Sequence, residues 1–276
     1  MKRGSLTFVP SGGLANRMRA IASAYALTQR VGSSLDIVWF QDWGMQAAFT
    51  DIFQLTVQLP IREATLRDKL LYDRARRKNL YLTKLPQLLL FDHRIKEQMV
   101  TPLKRQGLDF EAWAHGHRCY MSCYQVFGSF PDSLYGELFR PVKEVMQKVD
   151  GFRGQFSAHT IGLHIRRTDN VESIAKSPTQ LFIDKVKEEI ESHQDTRLFL
   201  ATDDEGVKKE FRQQFGQRVI TPAATATRSN VEGIRGGLVD MYTLAATQKI
   251  YGSAGSSFSP MAASVGGTEL EIICTS

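Results

Sequence analysis

The chain has 276 residues, 42% of them hydrophobic and 23% charged, with a formal charge of +6. That length can bury a substantial core in one large domain or two smaller ones, and the mixture is too polar for a membrane protein and too apolar for a disordered one. The positive excess favours anionic partners (phosphates, nucleic acid or an anionic membrane surface) without choosing among them.

No apolar run approaches the roughly eighteen residues of a spanning helix. Met1, Lys2 and Arg3 open like a signal peptide, but Pro10 and the glycines after it cut the apolar run short. Three cysteines make no disulfide framework and suit a reducing compartment, so a cytoplasmic location is expected.

In chain order, Leu6 to Val9 reads as a strand, and "SGGLANRMRAIASAYALTQR" (11–30) as a glycine turn opening a helix. "SLDIVWF" (34–40) is a second strand, apolar at its centre as in a covered sheet. From about 50 to 150 the pattern loosens, with a basic helical stretch "RDKLLYDRARRK" (67–78) and a strand "RCYMSCYQVF" (118–127). From 160 the rhythm sharpens. Strands "TIGLHIRRTD", "TRLFLATDD", "RVITP", "KIYGSAGSS" and "ELEIIC" alternate with helical "SPTQLFIDKVKEEIESH", "EGVKKEFRQQFG", "NVEGIRGGLVDMYTLAATQ" and "FSPMAASVG". Alternation of this kind predicts an α/β fold with mostly parallel sheets. The loose centre and regular second half predict two lobes, 1–155 and 156–276.

Open parallel sheets bind ligands beyond the carboxyl ends of their strands. Those ends carry His164, Arg166, Arg167, Thr168 and Asp169; then Asp203 and Asp204; then Gly252 to Ser257; and, in the first half, Gly12, Gly13 and Asn16. In an extended segment His164, Arg166 and Thr168 face one side, with Arg167 and Asp169 on the other. An arginine at a strand tip suits a phosphate, and an Arg–Asp169 ion pair is the competing structural use. Asp203 or Asp204 can cap the following helix, whereas a metal held by the pair lacks a third ligand. "GSAGSSFSP" can cradle phosphate at a helix start but has no P-loop lysine. Asp240, inside an apolar helical stretch, is either a helix-start acid or an acceptor for the adjacent N–H groups of guanine. "HGHRCYMSC", with His115, His117, Cys119 and Cys123, tempts a zinc reading, but its alternation fits a strand face better. The run Arg74 to Lys78 reads as a solvated helix face or as a surface for an anionic acceptor or lipid.

Together, "GGLANRMRAIASAYALT", "HIRRTDN", "LATDD", "GLVDMYTLA" and "GSSFS", in this order, resemble the GDP-fucose-dependent fucosyltransferases. The nearest in motifs are the α-1,6-fucosyltransferases of nodulation-factor and N-glycan core types. The likeness lies at both ends of the chain and leaves roughly 45–150 unmatched. It implies a GT-B type fold of two Rossmann-like lobes, with the donor held by the second and the acceptor by the first. It also implies inverting, metal-independent transfer without a cofactor other than the donor substrate GDP-fucose.

By motif match Arg166 would bind the donor β-phosphate, and His164 and Asp240 the guanosine. Asp203, Asp204, Ser256 and Ser257 would line the donor site, with Arg167 beside them. Gly12 and Gly13 would let backbone approach the donor, and Asn16, with Arg17 nearby, would complete the site from the first lobe.

Two departures stand out. Asn170 replaces the lysine that follows "RRTD" in the nearest relatives, and Ile174 stands where their glutamate would be. Asp169 and Glu172 are the remaining candidates for a general base, and linkage stays open. The expected acceptor is a glycan or lipid-linked oligosaccharide, in a bacterial-type protein without nucleic-acid partners and with a possible peripheral contact to anionic membrane. Two alternatives keep the fold: another nucleotide sugar such as GDP-mannose, or a non-catalytic nucleotide-sugar-binding protein.

Overall fold

In a computed structural model, which describes residues 4–42, 44–73, 84–168 and 170–275, the strand–helix alternation resolves into two parallel sheets of five strands each. The chain divides into two units, 1–140 with 228–231, and 141–227 with 232–276.

The first unit runs β1 (Ser5–Pro10), α1 (Leu14–Val31), β2 (Ser34–Trp39), α2 (Phe49–Ile52), β3 (Ile61–Glu63), α3 (Leu66–Leu71), α4 (Lys84–Leu90), β4 (His93–Ile95), α5 (Glu97–Arg105), α6 (Phe110–Ala114), β5 (Arg118–Cys123) and α7 (Ser133–Leu138). Its sheet order is β3-β2-β1-β5-β4. Val9, Val38, Phe40, Tyr72 and Tyr120 form one buried cluster, with the Tyr72 and Tyr120 rings stacked at 5.5 Å. Periodicity over 50–150 is loose because β3 and β4 are three residues each, too short to show a period of two.

The second unit runs α8 (Lys143–Arg153), β6 (Thr160–Ile165), α9 (Val171–Lys176), α10 (Thr179–Ser192), β7 (Arg197–Thr202), α11 (Glu205–Phe215), β8 (Val219–Ile220), α12 (Val231–Leu244), β9 (Lys249–Ser253), α13 (Phe258–Gly266) and β10 (Glu269–Ile273). The order β10-β9-β6-β7-β8 has its switch point between β6 and β9. Every residue of β6 is buried because helices cover both faces. Ile161, Leu163 and Ile165 pack with Phe182, Ile183 and Val186 of α10 and Phe211 of α11. On the other face, a Cβ at Gly162 would lie 2.8 Å from Leu244 of α12 and from Thr247.

The division expected at 155 falls instead between Arg140 and Pro141. Helix α8 joins the second unit, where Phe152 packs on Phe199 of β7 and Arg197 donates to the Gln155 carbonyl at 2.8 Å. No helix among the described residues is long and apolar enough to cross a membrane.

Candidate functional site

The carboxyl ends of β6, β7 and β9 converge, as a parallel sheet requires, and their side chains form one network. Asp203, just past β7, receives the Arg167 amide at 2.7 Å and the Thr168 hydroxyl at 2.6 Å, and pairs with the Arg166 Nε at 3.1 Å. Burial pushes the Asp203 carboxyl up, but the Thr168 hydroxyl, the Arg167 amide and the Arg166 guanidinium together hold it below the ordinary range. It therefore stays ionised and orients the arginine.

The Arg166 amide donates to the Ser253 hydroxyl at 3.1 Å, which couples the tips of β6 and β9. His164 lies on the Gly162 face of β6. Its Nδ1 is 2.7 Å from the Ser259 hydroxyl and its ring stacks on Phe258, with centroids 4.8 Å apart. Burial, with the nearby Arg166 charge, lowers its pKa to about 4, so the imidazole is neutral at physiological pH.

Arg167, expected beside the donor, has its guanidinium engaged within its own unit. Its guanidinium donates to the Arg166 carbonyl at 2.9 Å, to the Ser177 carbonyl and to the Thr179 hydroxyl, and so brackets the strand tip to the start of α10. Asp204 caps α11, its Oδ1 accepting the Val207 amide at 3.0 Å. Ser256 accepts the Phe258 amide at 3.3 Å, and Ser257 is the N-cap residue of α13.

Asn170 caps α9 by accepting the Ser173 amide at 3.1 Å and donates to the Gly255 carbonyl at 3.0 Å, tying this helix to the Gly255–Ser257 turn. Glu172 is exposed, pairs with Lys176 at 2.8 Å and lies against Gly255, where a Cβ would come within 2.6 Å of its carboxylate. Asp169 lies outside the described residues, as does the basic run Arg74 to Lys78.

Asp240 is buried in α12, and among the described residues its Oδ1 has no partner. Burial raises its pKa to about 7 despite the opposing charge of Lys208. Lys208 escaped the sequence reading. It is 1% exposed, donating to Glu205 at 2.8 Å and to the Pro222 carbonyl at 3.1 Å. Its only sequence signal was a helical position one turn after Asp204.

In the first unit, Gly12 adopts φ +82°, a conformation that glycine takes without a Cβ clash, and turns the chain from β1 into α1. Gly13 is the N-cap residue, and Asn16 follows with a buried Oδ1 that has no partner among the described residues. Arg17 does not serve as the expected ligand contact. It is 0% exposed and donates to the Gly12 carbonyl at 2.9 Å, the Phe40 carbonyl at 2.8 Å and Asp42 at 2.8 Å, beneath the Trp39 ring. A buried guanidinium must be paired, and here the pairing joins the turns after β1 and β2. The cysteines of the tempting zinc segment are also structural: burial pushes the Cys119 and Cys123 thiols up to about 12.

No protein-family model matches the sequence, and no curated protein matches it. Solved structures do match in fold. The NodZ α-1,6-fucosyltransferase soaked with GDP-fucose superposes with a TM-score of 0.66 at 17% identity, over 96% of this chain and 93% of that one. NodZ has also been solved from Bradyrhizobium. FUT1 of Arabidopsis thaliana in complex with GDP gives 0.64 at 14% identity, over 98% of this chain and 70% of that one. POFUT1 in complex with GDP gives 0.59 at 11% identity, over 99% of each chain. The two five-stranded parallel sheets with their helices are thus the GT-B type α/β fold of these fucosyltransferases.

Proposed function

We propose that this protein is an inverting, metal-independent glycosyltransferase that moves fucose from GDP-fucose to a hydroxyl of a glycan or lipid-linked oligosaccharide. The observation that carries the reading is Asp240, a buried carboxylate with an oxygen left unpartnered in the lobe whose strand tips hold Arg166. A buried acceptor in that state is stabilised by donors that a ligand brings, and guanine offers two adjacent N–H groups. The choice of fucose rests on the neighbours bound to GDP or soaked with GDP-fucose.

The acceptor hydroxyl attacks the anomeric carbon, the bond to the β-phosphate oxygen breaks, and GDP departs with the electron pair as the configuration inverts. Charge grows on the β-phosphate, and Arg166, held in place by Asp203, stabilises it. Its fixed positive charge does the work that a divalent ion would do elsewhere, assisted by the amides at the start of α13. Neutral His164 contacts the guanosine. The hydroxyl proton passes to Asp169 or Glu172. Asp203, Asp204, Ser256 and Ser257 line the donor, and Arg167 acts through the strand tip as a positioning residue.

Calorimetric titration with GDP, UDP, GDP-fucose and GDP-mannose in EDTA tests this reading. Expected are a guanosine preference and, for Arg166→Ala, donor binding that collapses together with a roughly 10²–10³-fold loss of transfer rate. Absence of a guanosine preference, or binding only with added metal, would sink it. A preference for GDP-mannose would establish the alternative donor, and GDP-fucose binding with neither transfer nor hydrolysis would establish a binding protein.

Peripheral contact with an anionic membrane belongs to the same proposal. Leu66 and Leu70 on α3 and Leu85, Leu88 and Leu89 on α4 are exposed, beside Arg67, Lys69 and Lys84. Apolar side chains rimmed by basic ones suit a lipid surface.

A further inference from the structure

We propose that His159, Glu189 and His193 form a binding site for a divalent transition-metal ion of the zinc class, at the end of the second sheet opposite its ligand edge. His159 immediately precedes β6. Glu189 lies in the last turn of α10, and His193 is that helix's C-cap residue. Separated by four positions, Glu189 and His193 share one helix face, and the fold brings His159 to it. One ligand atom from each residue lies within 4.8 Å of the others. Two imidazole nitrogens and one carboxylate oxygen are a donor set that zinc accepts, with a fourth position left for water.

The cluster is built rather than incidental. The His159 carbonyl accepts the Arg197 amide at 3.0 Å and the Ser157 hydroxyl at 2.9 Å. The His193 carbonyl accepts the Thr196 amide at 3.0 Å and the Thr196 hydroxyl at 2.6 Å. Both histidines therefore have fixed backbones.

The Glu189 carboxylate is aimed from two sides: Oε2 lies 2.8 Å from His159 Nε2, and Oε1 accepts the hydroxyl of buried Tyr251. A buried group that orients a liganding carboxylate is the supporting shell such sites need. The His159 and His193 rings lie face to face, centroids 3.8 Å apart and 17° from parallel. His193 is exposed, which leaves its ring room to turn onto an ion. The nearby ammonium of Lys249 is matched by Glu269 at 2.8 Å and Glu271 at 2.9 Å, which limits its repulsion of a cation.

At about 3.3 Å per strand residue, His159 and Arg166 are roughly 23 Å apart along β6. An ion there would fasten the end of α10 to the start of the central strand without touching donor chemistry. The inference is therefore independent of the proposed activity.

The test is titration of untagged, EDTA-stripped protein with zinc chloride, read by calorimetry and thermal unfolding. Expected are one equivalent bound with micromolar or tighter affinity and a Tm several degrees higher. His193→Gln and Glu189→Gln should each weaken binding about tenfold or more, and Tyr251→Phe by about 10–100-fold, with GDP binding unchanged in all three. Cobalt(II) bound to the unmutated protein should give the intense visible bands of a low-coordinate site, a readout that needs no variant. Millimolar binding, missing cobalt bands, or unchanged affinity in the His159→Gln/His193→Gln pair would overturn the proposal.

Discussion

Burial raises the Asp240 carboxyl to about 7 and leaves one oxygen unpartnered, so this residue stores a penalty that a ligand can relieve. Its folded pKa lies above the unfolded value of about 3.9, so the folded protein holds this proton more tightly than the unfolded chain. The group's contribution to stability is fully present below about 3.9 and is lost as pH rises through about 7, reaching a cost on the order of 4 kcal/mol. His164 tilts the other way: its pKa of about 4 lies below the unfolded value, so its contribution is present above about 6.5 and is lost as pH falls towards 4. Asp240→Asn should raise the Tm of the unliganded protein at pH 8. The same variant should weaken GDP binding about 10²-fold or more, since charge-assisted bonds are lost. In the unmutated protein GDP affinity should rise between pH 6 and pH 8 as Asp240 ionises. Calorimetry across that range checks the sign, and affinity flat in pH would remove the carboxylate from the guanine site.

Between elements, the donor edge depends on how closely β9 and α13 approach. A Cβ on Gly252 would lie 2.5 Å from the Ser259 hydroxyl, the group that meets His164. Gly252→Ala should therefore push α13 outward, cost about 1–3 kcal/mol in thermal unfolding, and weaken donor binding with it. Gly252→Ala binding GDP as tightly as the parent protein would show that the His164–Ser259 contact is not part of the donor site.

The helix α9 shows how a departure in sequence can be structural. Asn170, expected as a departure from the motif, caps the helix while holding the Gly255 turn. Helix starts of this kind were legible in part: Asp203 or Asp204 was an expected cap, and the structure gives that role to Asp204. Strands three residues long, such as β3 and β4, were not, because a period needs several residues to declare itself.

Over the whole molecule, the formal charge of +6 and the exposed leucines of α3 and α4 carry the membrane proposal. The protein should sediment with vesicles containing anionic lipid but not with zwitterionic ones. Added salt should weaken this binding, and Leu66→Ser/Leu70→Ser should reduce it about tenfold or more, since each leucine buried in lipid is worth about 1.5–3 kcal/mol. Equal sedimentation with both vesicle types would remove the electrostatic part of the proposal.

Strand–helix alternation, the turn at Gly12, the caps and the polar strand ends are local properties, set by backbone sterics and by patterns a few residues long. For that reason the sequence alone determined the α/β class with its two lobes, and it marked the polar strand ends on which the proposed site is built. Burial is a property of packing between distant segments, and only the tertiary structure decided it. It placed β9 beside β6, enclosed Arg17 with Asp42, tied Arg167 to Ser177 and Thr179, and gathered His159 with Glu189 and His193. The same desolvation decides which charges must be paired inside and which groups, like Asp240, are pushed towards the neutral form instead.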